Sequence, residues 1–164
     1  MDFSFEHHFD RPLEEVAKGM LDLEYQGTLS DLDALAGREV LSQEEAPSGV
    51  TVRRVRCVLG IDLGAARKFI GDGPPAWVEE ATWDPEVSAW GWVIHPEVVR
   101  ELLEAHGTIE LSPDGGGTKR STSGVVKVKV PLYGGKVERV IVDGLRKAYD
   151  EEAERLDSWL GARA

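Results

Sequence analysis

A chain of 164 residues, 41% hydrophobic and 30% charged, has the length and make-up of one globular domain that buries its own core. A formal net charge of −11 excludes DNA, RNA or an anionic membrane surface as the main partner, because each rewards a basic face. A single cysteine, Cys57, excludes a disulfide framework and fits a reducing, cytoplasmic setting, and no stretch reaches the roughly 18 consecutive apolar residues of a membrane helix.

Residues 2–9, DFSFEHHF, alternate, with Phe3, Phe5, His7 and Phe9 on one side and Ser4, Glu6 and His8 on the other. That pattern predicts a half-buried strand. DRPLEEVAKGMLDLEY predicts a helix with Asp10 as N-cap, Pro12 in the first turn, and Glu14 and Glu15 near its positive end. Leu13, Val16, Ala17, Met20 and Leu21 recur at helical spacing and define its buried face. TLSDLDALAG predicts a second short helix, capped by Ser30 and stopped by Gly37.

The middle of the chain reads mostly as strands. REVLSQEE and GVTVRRVRCVL flank the turn signal APSG and predict a hairpin, on which Arg53, Arg54 and Arg56 are expected to form a solvated face. LGAARKFIGDGPP predicts a short helical or irregular crossing, broken by Gly71, Gly73 and Pro74–Pro75. AWVEEATW and VSAWGWVIH, separated by DPE, predict another hairpin. PEVVRELLEAH is ambiguous: Val98, Leu102 and Leu103 fit a helical turn, whereas Val98–Val99 favours an extended run. GTIELSP and GTKRSTSGVVKVKV flank the flexible loop DGGG, and Val126, Val128 and Val130 point inward against Lys127 and Lys129.

From about residue 136 to 160 runs the longest helix, with Val137, Val140, Ile141, Leu145, Ala148, Tyr149, Leu156 and Trp159 as its apolar stripe and Gly161 at its end. No repeat or linker interrupts the chain, so residues 1–164 are expected to form one domain. An antiparallel sheet with one apolar face must bury that face. The predicted fold class is therefore α+β, a curved antiparallel sheet wrapped around a long C-terminal helix, with two short helices after the first strand. Pro131 ends the last strand because it donates no hydrogen bond, and Gly134–Gly135 let the chain turn into the helix.

The tail GGGTKRSTSGVVKVKVPLYGGKVERVIVDGLRKAYDEEAERLDSWL and the opening FDRPLEEVAKGMLDLEY resemble the helix-grip fold of the START-like superfamily. This superfamily is also called SRPBCC or birch-pollen-allergen-like. The element order matches over nearly the whole chain, the residues best in the last third, and the chain looks most like an uncharacterised bacterial branch. The resemblance implies a cavity between sheet and helix that holds an apolar or amphipathic small molecule. Members bind lipids, sterols, plant hormones, polyketides or quinones, and some catalyse cyclisation or dehydration.

Four of the five tryptophans fall on two adjacent strands, Trp77 with Trp83 and Trp90 with Trp92. Flat rings with one polar N–H suit a pocket for a mostly apolar ligand, and they also fill core volume. His7 shares its face with three Phe residues, as a polar handle or base at the pocket's edge or as a hydrogen-bonded core histidine. Glu79 lies between Trp77 and Trp83, either inside as an acid with a raised pKa or on a wet face. Tyr149 offers a hydroxyl from the closing helix. The four histidines lack paired metal spacing, so no metal is expected. DGGGTK lacks the phosphate-loop spacing, so no nucleotide cofactor is expected either. Cys57 reads as a small apolar residue, and DEEAERLD, residues 150–157, as the solvated side of the last helix.

These readings combine into a binder of a hydrophobic small molecule, without catalytic residues and with a homodimer left open. The expected cavity lining is His7, Trp77, Trp83, Trp90, Trp92, Val126, Val128, Ile141, Leu145 and Tyr149. An interaction module with a packed interior is the second reading. A cyclase or dehydratase using His7, Glu79 or Tyr149 as acid or base is the third.

Overall fold

The alternation of DFSFEHHF becomes strand β1 (Asp2–Phe9), with Phe3, Phe5 and Phe9 buried and His7 half-buried on the same face. The computed structural model describes residues 1–70, 73–98 and 100–163. The predicted glycine break at Gly71 and the extended reading of Val99 lie outside the described residues.

The first predicted helix is divided in two, α1 (Leu13–Leu21) and α2 (Leu23–Gly27). Asp22 separates them in an extended conformation, and its Oδ1 accepts from the N–H groups of Glu24 at 2.8 Å and Tyr25 at 3.2 Å. The N-cap of α1 is Pro12 and not Asp10, which reaches instead to His8 Nε2 at 3.1 Å. The helix expected over TLSDLDALAG shrinks to one 3-10 turn, Thr28–Asp31, and the chain is already extended at Leu35. Gly37 therefore stops no helix. It sits inside β2 (Leu35–Glu45) at a register shift against β3 (Thr51–Leu59).

β3 leads through a 3-10 turn (Gly64–Ala66) and α3 (Arg67–Ile70) into β4 (Ala76–Asp84) and β5 (Ala89–Pro96). β6 (Leu103–Asp114) begins at Leu103, so the extended alternative holds for the end of PEVVRELLEAH. β7 (Gly117–Val128) precedes α4, a helix of 29 residues from Gly134 to Ala162. All pairings are antiparallel, in the order β1-β7-β6-β5-β4-β3-β2. The first strand thus pairs with the last, and α1 and α2 carry the chain from one sheet edge to the other. This is the α+β helix-grip architecture.

Entry into α4 is sharp. Leu132 takes a positive φ of 67° with its side chain in solvent. Gly134 packs so close to β7 that a Cβ there would stand 2.4 Å from the Val128 carbonyl oxygen. The glycine is needed for this approach, while the left-handed residue is Leu132. Glu138 on the first turns of α4 accepts the Val128 N–H at 3.0 Å and so fixes helix to strand. Val142, Ala153, Leu156 and Leu160 are buried along α4, whereas Val140, expected in the stripe, is exposed.

Candidate ligand cavity between sheet and helix

Phase along each strand decides what faces α4. In β4 the inward set is Trp77, Glu79, Ala81 and Trp83, which settles that Glu79 lies on the inner side. In β3 it is Thr51, Arg53, Val55 and Cys57, and in β7 it is Thr118, Arg120, Thr122 and Val126. Arg53 therefore corrects the expectation of a solvated basic face. Only Arg54 and Arg56 point outward, where they pair with Glu80 at 2.8 Å and Glu97 at 2.6 Å.

Between this inner face and α4 lies a cavity of about 230 Å³. Its walls are mostly apolar, with Val55, Ile94, Val126, Val128, Ile141 and Leu145 among them. Trp77, Trp92 and Tyr149 also line it. His7, Trp83 and Trp90 stand away from its wall. Trp83 and Trp90 pack on each other, ring centroids 5.6 Å apart, inside the core. His7 is taken up by polar partners: Nε2 lies 2.8 Å from Asp150 Oδ1, and Nδ1 lies 3.4 Å from Arg120 Nη2. Because the guanidinium can only donate, the tautomer that serves both partners carries its proton on Nε2.

The cavity also has a charged end, of which the sequence pattern pointed only to Glu79. Arg38, Arg53 and Arg120 line it together with Glu79, Glu152 and Gln26. Arg120 is fully buried and donates to Glu152 Oε2, while the Tyr25 hydroxyl donates to Glu152 Oε1 at 2.7 Å. Glu152 thus corrects the reading of residues 150–157 as wholly solvated. Arg38 is held by Gln26, its Nη1 donating to the backbone oxygen at 3.0 Å and its Nη2 to Oε1 at 2.5 Å. Arg53 Nη1 donates to the Met20 carbonyl at 2.8 Å, and its guanidinium lies 4.5 Å over the Trp90 ring. The signal for Arg53 was its phase with Val55 and Cys57. For Glu152 it was the i, i+3 step from Tyr149.

Burial dominates the titrating groups here. It pushes the Arg53 guanidinium down to about 10, still cationic at neutral pH. It pushes the Cys57 thiol up to about 12, with the Glu79 charge adding to the effect, so this sulfur stays protonated and unreactive at neutral pH. Tyr149 and Tyr25 are raised too, by burial first. A raised folded-state pKa stabilises below the unfolded value and is lost as pH climbs toward the folded one. Cys57 shifts up from 9.0, so its contribution falls between pH 9.0 and about 12. Arg53 has the opposite sign and enters only above about 10. The expected result is a loss of about 1 kcal/mol between roughly pH 9 and 10. Cys57→Val should reduce this loss without abolishing it, because the raised Tyr25 and Tyr149 keep a smaller share near pH 10, as measured by urea midpoints at each pH.

Among the described residues, no group of three or more His, Cys, Asp or Glu side chains could hold a metal ion. None of the described helices is long and apolar enough to cross a membrane.

With the fold and cavity in view, several solved structures are similar over nearly their full length. TTHA0849 from Thermus thermophilus has 21% identity, covers 100% of this chain and 99% of its own, and gives a TM-score of 0.72. The ZhuI aromatase/cyclase from Streptomyces sp. R1128 follows at 11% identity, 99% and 94% coverage, and a TM-score of 0.67. A START superfamily protein from Mycobacterium smegmatis has 13% identity, 99% coverage of both chains and a TM-score of 0.62. At such identities the likeness establishes the fold, the helix-grip fold of the START-like superfamily. A comparison with curated proteins found no match. The family model described as "Protein of unknown function (DUF2505)" matches residues 4–160, and the chain belongs to that family.

Proposed function

We propose that the protein binds a hydrophobic or amphipathic small molecule in the cavity between sheet and α4. The observation that carries this reading is the cavity itself: about 230 Å³ of space with mostly apolar walls in the middle of the fold. Protein interiors otherwise pack to crystal-like density, with few voids larger than a water molecule. Apolar burial supplies the affinity, at roughly 25 cal/mol per Å² before ordering costs are deducted. Similarity to an aromatase/cyclase and to a START superfamily protein supports a ligand in this place. Cys57 and Tyr149 stay protonated at neutral pH, and His7 lies away from the cavity wall. Glu79 and Tyr149 do line the cavity, but among the described residues no hydrogen bond joins them into an acid–base pair, and ligand binding stands ahead of catalysis.

Ile141 tests the reading, since it lines the cavity and packs against both apolar clusters of the core. Ile141→Trp should fill the space and abolish uptake of the neutral dye N-phenyl-1-naphthylamine, with the wild-type circular dichroism retained. A larger side chain forced into a packed interior costs about 1–3 kcal/mol, whereas one entering a void does not. Dye uptake by wild type and loss in the variant at unchanged stability is the expected result. Dye rejected by both, together with a destabilised variant, would show a packed interior and overturn the proposal. Native mass spectrometry of freshly purified protein against its solvent extract then identifies any resident ligand by mass.

A further inference from the structure

We infer, building on the cavity reading, that the bound molecule carries a single negative charge, a carboxylate at the end of an apolar body, and that Arg53 receives it. Three guanidinium groups and two carboxylates line the cavity. Arg120 and Glu152 cancel each other in a direct ion pair. Arg38 and Arg53 then face Glu79 alone, and among the described residues neither arginine forms an ion pair with a carboxylate. The lining holds one positive charge in surplus, inside a protein whose overall net charge is −11.

Arg53 is the group left incomplete. It is 7% exposed, its hydrogen bonds run from Nη1 alone, and its Nε is buried with no acceptor. A buried guanidinium with unused donors strongly favours an incoming anion, and its planar fork matches a carboxylate. Trp92, also in the cavity wall, adds a second buried donor without an acceptor, its indole Nε1. Arg53 and Trp92 flank Ala81 in one row across the inner face of the sheet, so the two unused donors stand on either side of the same small residue. A carboxylate balances the single surplus charge. A phosphate monoester, carrying about −1.5 to −2 at neutral pH, overshoots it.

The test compares octanoate, 1-octanol and octyl phosphate on the whole protein, by calorimetry and tryptophan fluorescence at neutral pH. Wild type should bind octanoate roughly 10- to 100-fold tighter than 1-octanol, the value of a charged hydrogen bond in a dry site. Arg53→Met should bind the two equally. This variant removes a buried cation, and the Met20 carbonyl keeps a second donor, Gln26 Nε2 at 2.8 Å, so the fold is expected to survive. Equal binding of octanoate and 1-octanol by wild type would overturn the anion assignment while leaving the apolar cavity intact. That comparison needs no variant. Failure of all three probes would overturn the cavity reading with it. Octyl phosphate bound tighter than octanoate, or a preference surviving in Arg53→Met, would also overturn the assignment.

Discussion

Glu152→Gln is expected to destabilise the protein by about 3–5 kcal/mol, the cost of leaving one member of a buried ion pair alone. The Arg120 side chain is 1% exposed and Glu152 is 13% exposed, so water screens neither charge. Glu152 is the only carboxylate in direct contact with Arg120 among the described residues. The guanidinium's other acceptors, His7 Nδ1 and the Tyr149 carbonyl oxygen, are uncharged or marginal and stand 3.4 Å away. The next anion, Asp150, is reached only through the His7 ring. Glutamine keeps the shape and can accept from Tyr25, but it removes the charge. The cost should fall mostly away when Arg120→Met is added, because the cation goes too. A double-mutant cycle in urea, read from midpoints at constant slope, would show a coupling of about 2 kcal/mol or more. A cost for Glu152→Gln below about 1 kcal/mol, as for surface pairs, would mean that the pair is hydrated and not buried.

Fold and cavity were unequally legible in the sequence, for physical reasons. Where one face is apolar and the other polar, period alone fixes the face, as in DFSFEHHF and VVKVKV. The long tail helix was legible because its apolar stripe acts locally, whereas the left-handed residue at its entry is Leu132 and neither of the glycines expected to turn the chain. Helix boundaries at Asp22 and Leu35 were not. Asp22 caps α2 through its side chain, and Leu35–Gly37 is pulled extended by pairing with Leu59 and Val58, partners more than 20 residues away. The charged end of the cavity was hidden for another reason. Charged residues are assigned to solvent by default, and Arg53, Arg120 and Glu152 break that rule together. Arg120 and Glu152 are tolerable because they pair with each other and with Tyr25, and Arg53 because Met20 and Gln43 accept from it, partners that only tertiary structure brings together. Position of the tryptophans within the inner face was equally non-local. Trp92 and Trp77 reach the cavity while Trp83 and Trp90 pack on each other at a tilt in the core, a division that depends on which neighbours across the sheet are small.

That dependence yields the other large effect, Gly107→Ala, expected to cost at least about 3 kcal/mol, the upper end for overpacking. Trp92, Gly107, Gly124 and Phe3 form one row across β5, β6, β7 and β1. The two glycines are the floor on which the Trp92 ring lies. A Cβ on Gly107 would stand 2.0 Å from the Ser123 carbonyl oxygen and 2.7 Å from Trp92 Cζ2. One on Gly124 would meet the His106 carbonyl oxygen at 2.4 Å and Trp92 Cζ2 at 2.8 Å. Gly91, next to Trp92 on the outer face, is the control: a Cβ there meets nothing within 4 Å, so Gly91→Ala should change stability by less than about 1 kcal/mol. Thermal unfolding of the two variants separates a general aversion of strands to substitution from this particular floor. Adding Trp92→Leu to Gly107→Ala should restore part of the loss and no more. The side-chain clash is then relieved, but the backbone oxygen at 2.0 Å cannot move without parting β6 from β7. Full recovery in the double variant would assign the whole cost to the indole. No recovery would assign it to the close approach of the two strands, and the glycine pair would then be a feature of sheet curvature before it is a seat for Trp92.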